Sequence, residues 1–328
     1  MIDARAASDK QWRMPDMDRL AAKSALREAM ARNAYARGEV RIADPDLTEQ
    51  TWLVASHRGL FAISADGGPG AGVETASVKT IVYGWFFGLC RHHDVLYVFE
   101  NCGHRDRTIP MGRIVRFDLA GDRLATPEVI VIGLHTNCHQ IAVIDGLLCV
   151  LDTANQAILR FTLEGNAVDV QRPFAAAPPY DTSGAYLHIN AIAAVGDRTA
   201  IMLHNGKAIP AKTSELAWLD RDWRVIERQP LPGYSCHDIV ADERGMLWHC
   251  DSMAGDIMAA DGTRAHVTDT LMTRGLAITR NAIIVGMSSF GPRHLRSKLH
   301  GGVVILDRAL ELRMTMVLDG SPTDIIAL

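Results

Sequence analysis

The pattern of apolar and polar positions changes near residue 48. Before it, Ala22, Leu26, Ala29 and Met30 recur at helical spacing and form one apolar stripe. Asp16 is a capping residue ahead of a run from about Met17 to Arg37, and Gly38 is its stop. A helical extension is therefore expected within residues 1–47. From 48 onward the helical period gives way to short β-rich runs punctuated by Gly, Asp and Asn, as in sandwiches, barrels and propellers.

Two of these runs are near copies. Cys138-His139-Gln140-Ile141 leads through Asp145-Gly146 into Leu147–Asp152, and Cys236-His237-Asp238-Ile239 leads through Glu243-Arg244-Gly245 into Met246–Asp251. Their histidines lie 98 residues apart (139 to 237), about twice the length of a four-stranded propeller blade. Aligning the remaining runs on this anchor puts Phe87, His139, Asn190, His237, Arg274 and Thr323 at one structural position, in steps of 52, 51, 47, 37 and 49 residues. Each of the first five is followed by a second strand. For Thr323 the chain ends at Leu328, and Thr51–Ala55 supplies the missing partner. The expected fold is an all-β, six-bladed β-propeller over 48–328, with blade 1 shared between the two chain ends. Such closure leaves no interrupted sheet edge.

The runs "HDIVADERGMLWHCDSMAGDI" and "HQIAVIDGLLCVLDTANQAILRF" resemble blades of the NHL-type six-bladed propellers. These include gluconolactonase/strictosidine-synthase-like enzymes and peptidyl-hydroxyglycine amidating lyases. In the amidating lyases, three histidines from alternate blades hold a catalytic zinc. The resemblance places His139 and His237 at two of those positions, while blade 1 offers Thr323-Asp324 at the third.

Composition narrows the function classes. A net charge of −4 does not suit a generic nucleic-acid binder. No apolar run reaches the roughly 18 residues of a membrane span, and the N-terminal residues lack the apolar core of a signal peptide. A cytoplasmic protein with six free thiols is expected.

In a propeller the anchors share one rim with the ends of the second strands. That rim carries Glu100, Asn101, Asp152, His204, Asn205, Asp251, Ser288, Ser56 and His57. Long basic loops open there too, with Arg105 and Arg107 in blade 2, Lys207 and Lys212 in blade 4, and Arg293, Arg296 and Lys298 in blade 6. Basic loops over one mouth focus an anionic small molecule, and Arg is the best bidentate partner for carboxylate or phosphate. The expected substrate contacts are Asn101, Arg105, Arg107, Asn190, Lys207, Arg274 and Arg293. Pro178–Gly184 reads as a lid, and Tyr180, Tyr186 and Tyr234 enter the same rim.

His139 and His237 are candidate ligands of one divalent transition metal: zinc first, with copper or iron as alternatives. His188 is the preferred third ligand, with His135 and His57 behind it. Glu100, His204 and Tyr234 are the candidate proton-transfer groups. The expected activity is a metal-dependent lyase or hydrolase, with redox chemistry as an alternative. A second reading is a gluconolactonase-like hydrolase with Glu100, Asn190 and Asp251 around calcium. A third is a non-catalytic binding propeller. The N-terminal helix is expected to plug the lower channel or mediate self-association. Asp152 and Asp251 are expected to brace turns, and Cys138 and Cys236 to pack in the core.

Overall fold

Six antiparallel sheets of the same plan account for the strands. The computed structural model describes residues 51–66, 75–102, 111–120, 123–124, 127–291 and 298–328. The helix expected in 1–47 lies outside the described residues, as do Arg105, Arg107, Arg293 and Arg296. Blade 1 runs outward from Pro322–Ala327 through Thr51–Ser56 and Gly59–Asp66 to Thr75–Tyr83. The other innermost strands are Phe86–His92, Cys138–Ile144, Ile189–Val195, His237–Ala241 and Met272–Ile278. Each anchor identified by the repeat lies on one of these six strands. The innermost strands pack in a closed ring, and blade 1 joins the chain ends by pairing Trp52 with Ala327 and Val54 with Ile325. Blade 2 is the irregular one, with a short extra strand, Arg123–Leu124, on its third strand.

Burial explains why the second strands read as unbroken apolar runs. One cluster of buried side chains fills each of the six gaps between neighbouring blades. Leu53, Phe86 and Val98 join blades 1 and 2, while Trp52, Val54 and Ile284 join blades 1 and 6. Both faces of a blade are therefore covered, as in a parallel sheet, and strict alternation of apolar and polar residues is lost. Leu148–Asp152 is buried throughout. Cys138 and Cys236 are both fully buried in these clusters. Burial pushes the Cys138 thiol well above its ordinary range and that of Cys236 up to about 12, so neither is a thiolate donor.

At the rim every blade carries a register shift between its first and second strands. In each case one or two residues of the inner strand fall out of the ladder, and the anchor lies at the shift. Bulges of this kind re-aim side chains next to functional sites. Here the bulges place Phe87, His139, His237 and Arg274 at the mouth, while Asn190 and Thr323 bond to the backbone of the next blade.

Along the axis the blades alternate. Blades 1, 3 and 5 supply Asp324, Gln140 and Asp238, whereas blades 2, 4 and 6 supply Gly88, Ala191 and Gly275. Each large polar side chain accepts a backbone N–H from the next blade: Leu89 to Asp324 Oδ2 at 2.8 Å, Ile192 to Gln140 Oε1 at 3.0 Å, and Gly275 to Asp238 Oδ2 at 2.8 Å. Gln140 Nε2 lies 3.5 Å from Asp238 and 3.4 Å from Asp324. The small residues are required by this approach. A Cβ on Gly88 would stand 2.6 Å from the His139 carbonyl oxygen and 3.1 Å from the Ile141 nitrogen. Both are backbone atoms that cannot swing aside. Gly88→Ala is expected to cost about 1–3 kcal/mol through overpacking, which a lowered thermal unfolding midpoint would reveal.

Candidate functional site at the propeller mouth

The bulged anchors open onto a cavity of about 380 Å³ at one end of the axis. Its wall repeats the blade plan. The anchors Phe87, His139, His237 and Arg274 line it, and so do the residues two positions earlier: Trp85, Asn137, His188, Ser235 and Met272. Ends of second strands complete it through His57, Asn101 and His204, with Lys207 at the exposed edge. Residues far apart in sequence thus reach one cavity because the blades are radially equivalent.

Four imidazoles form an arc across blades 3 to 5. Ring centroids are 5.3 Å apart for His139–His188, 4.6 Å for the stacked pair His188–His204, and 5.0 Å for His204–His237. The two repeat-related histidines are held alike. His139 Nδ1 lies 2.9 Å from the Asn137 carbonyl and 2.8 Å from Thr153 Oγ1, whose own proton goes to the Ile189 carbonyl. A carbonyl only accepts, so Nδ1 carries the proton and Nε2 keeps its lone pair. At His237, Nδ1 lies 2.8 Å from Ser252 Oγ, and the Ser235 carbonyl accepts from the ring. Thr153 and Ser252 each follow one of the repeat aspartates, Asp152 and Asp251, a match visible in the sequence copies.

His204 has the opposite tautomer. The Gly206 N–H donates to its Nδ1 at 3.0 Å, so the neutral ring carries its proton on Nε2. Burial holds the His237 pKa well below the ordinary histidine range, helped by the positive charge of Arg274. His237 is therefore neutral at physiological pH.

The expected site residues divide between those in the cavity and those outside it. His139, His188, His237, His204, Asn101, Lys207 and Arg274 line it, as does His57. Asn101 also donates to the Thr136 carbonyl. Glu100 is instead gripped by Arg113 of the adjoining strand, at 2.8 Å from Nε and 2.7 Å from Nη2, and does not line the cavity. Asn190 is buried and donates to the Cys236 carbonyl at 3.0 Å, bridging blades 4 and 5. Tyr234 is exposed outside the cavity, and Asp251 Oδ1 accepts its backbone N–H at 3.3 Å. Of the oxygen groups assigned to calcium, Glu100 is engaged by Arg113 and Asp251 by the Tyr234 N–H, whereas Asn190 Oδ1 is buried without a hydrogen-bond partner; none of the three residues lines the cavity. Asp152 braces its turn, accepting from the Asn155 backbone and amide at 3.2 and 2.6 Å. The lid segment is tied down where the Tyr180 hydroxyl accepts from Asn137 Nδ2 at 3.1 Å and the Thr182 carbonyl from the Ile209 N–H at 2.9 Å. Lys212 is drawn to Glu215 at 2.8 Å.

Among the described residues, no three His, Cys, Asp or Glu side chains are gathered as a metal-ligand set. His139 and His237 are a matched pair of nitrogen donors. Their Nδ1 protons are engaged behind the ring, as is usual for metal-ligating imidazoles.

This fold and mouth define a six-bladed β-propeller with a cavity at one end of its axis. No protein-family model and no curated protein matches the chain. Similarity to solved structures is confined to architecture. A chain of a nidogen/laminin complex superposes with a TM-score of 0.59 at 12% identity, covering 85% of this chain and 98% of that one. A protein of unknown function from Bacteroides caccae gives 0.55 at 11% identity, covering 85% and 98%. The periplasmic gluconolactonase of Pseudomonas aeruginosa gives 0.53 at 13% identity, covering 84% and 98%. These neighbours include an enzyme and a chain from a protein–protein complex, so the fold is common to different activities.

Proposed function

We propose that the mouth cavity is the reaction centre of an enzyme acting on a small anionic substrate, with His139 and His237 as the pair that would hold a divalent transition metal. One observation carries this reading. Two histidines in alternate blades are held in the same tautomer by the same kinds of partner, and both line one cavity. A bound metal would supply Lewis-acid polarisation of a substrate oxygen, which suits lyase or hydrolase chemistry.

The chain's own residues supply the remaining functions. Arg274 and Lys207 draw the anion in and orient it. His204, protonated on Nε2, is the proton donor of the arc. His237 stays neutral and keeps its lone pair available. His188 packs between His139 and His204 and holds the arc together. The partners of Glu100 and Asp251, and the position of both outside the cavity, weigh against the calcium reading.

Elemental analysis of the purified protein tests the proposal. About one equivalent of zinc, copper or iron per chain is expected, lost in both His139→Ala and His237→Ala without loss of the β circular-dichroism spectrum. Metal retained in both variants, or no transition metal after reconstitution, would overturn it.

A further inference from the structure

The mouth has two unlike halves. Blades 3 to 5 contribute the imidazole arc with Asn137 and Ser235, whereas blades 6, 1 and 2 contribute mostly apolar groups. On the apolar side, Trp85 and Phe87 lie with their planes 25° apart and centroids at 6.5 Å, and His57 packs against both at 5.5 and 5.3 Å. Met272 and Phe290 extend that wall around blade 6. The division follows the repeat. At the anchor and two positions before it, blade 3 has Asn137 and His139, but blade 2 has Trp85 and Phe87.

Arg274 joins the two halves. It belongs to blade 6, is 5% exposed, and its guanidinium reaches across the mouth to lie 5.4 Å from the Phe87 ring centroid. Its charge is also felt at His237, the end of the arc in the neighbouring blade 5. A buried cation between an aromatic wall and a row of imidazoles fits a ligand with two ends. A simple inorganic anion would use the cation and leave the aromatic wall without a role.

We infer that the cavity takes an aromatic carboxylate: a planar apolar body against Trp85 and Phe87, and a carboxylate head at Arg274 facing the imidazole arc. This rests on the reading of the mouth as the reaction centre and adds the substrate class. The volume of about 380 Å³ is within the range of small-molecule pockets. Stacking on an aromatic ring adds to area burial, and Arg selects the carboxylate.

Calorimetric titration of the full chain with 2-naphthoate, 2-naphthalenemethanol and acetate tests this inference. The wild-type protein is expected to bind 2-naphthoate at least about tenfold more tightly than either the neutral alcohol or acetate. Trp85→Leu should remove the advantage over acetate, and Arg274→Gln the advantage over the alcohol. The wild-type selectivity decides the matter even if a variant folds poorly. Acetate or the alcohol binding as well as 2-naphthoate would overturn the inference, as would no binding of 2-naphthoate at about 10 mM. The two proposals fail separately. Stoichiometric metal lost in His139→Ala and His237→Ala, without aromatic preference, sinks the substrate class alone. Selective 2-naphthoate binding by a protein that takes up no metal sinks the metal pair alone and supports the aromatic site.

Discussion

Deletion of residues 322–328 is expected to abolish cooperative folding of the propeller. This segment is the innermost strand of blade 1, and its partner strand comes from the other end of the described chain. Ile325 is 2% exposed and packs in the cluster with Trp52, Val54 and Ile284. Thr323 Oγ1 donates to the Phe86 carbonyl at 2.7 Å, and Asp324 accepts the Leu89 N–H. Without the strand, the closed ring becomes an open arc, the gaps on both sides of blade 1 lose their inner wall, and the edge of Thr51–Ser56 is exposed. The truncated chain should show no sharp thermal transition and should aggregate. A cooperative transition within a few degrees of wild type would mean that closure does not hold the fold. The milder Ile325→Ala should cost about 2–5 kcal/mol, as large-to-small core substitutions do.

Raising the pH is expected to destabilise the protein through the axial carboxylates. Asp324 and Asp238 are almost completely buried, at 2% and 3% exposure. Burial lifts both pKa values, and the neighbouring charge of Asp238 lifts Asp324 further, to about 8. In the unfolded chain both would titrate near the ordinary aspartate value of about 4. Between those limits the folded state holds more protons than the unfolded state, so stability falls as pH rises. The stabilisation is complete below about pH 4 and is lost as pH passes through about 8. Asp324→Asn removes the titrating group and retains an acceptor for the Leu89 N–H. It should therefore be less stable than wild type near pH 5, where it forfeits one oxygen that accepts from Ile325 N–H at 3.0 Å. At pH 9 it should be more stable, by several degrees in midpoint. Thermal melts of both proteins from pH 5 to 9 would reveal crossing curves. Parallel curves would show that Asp324 is ionised across the whole range.

The blade count was legible because every inner strand opens a similar unit, with turn residues at recurring places. The pairing of Thr51–Ala55 with the C-terminal strand followed from the blade left incomplete after Thr323. The common rim was legible for the same reason. The bulges were not, because they leave no mark in apolar spacing. A regular strand would send Cys138 and His139 to opposite faces. The bulge instead lets Cys138 enter the core, His139 the mouth and Gln140 the axis. The axial alternation, Gly88, Gln140, Ala191, Asp238, Gly275, Asp324, was present in the aligned anchors as small against large residues. The partner of Glu100 was hidden because it depends on third-strand register, which places Arg113 directly opposite. The aromatic half of the mouth carries no distinct signal, because Trp85 and Phe87 resemble ordinary core residues in a strand context.

The proposed metal pair requires His139 and His237 to present unprotonated Nε2 atoms to the same space. Long-range 1H–15N correlation spectra of histidine-labelled protein at neutral pH measure this directly. Both rings should carry the proton on Nδ1, and both Nε2 resonances should move together on addition of about one equivalent of zinc. A proton on Nε2 of either ring, or a zinc response confined to one of them, would contradict it.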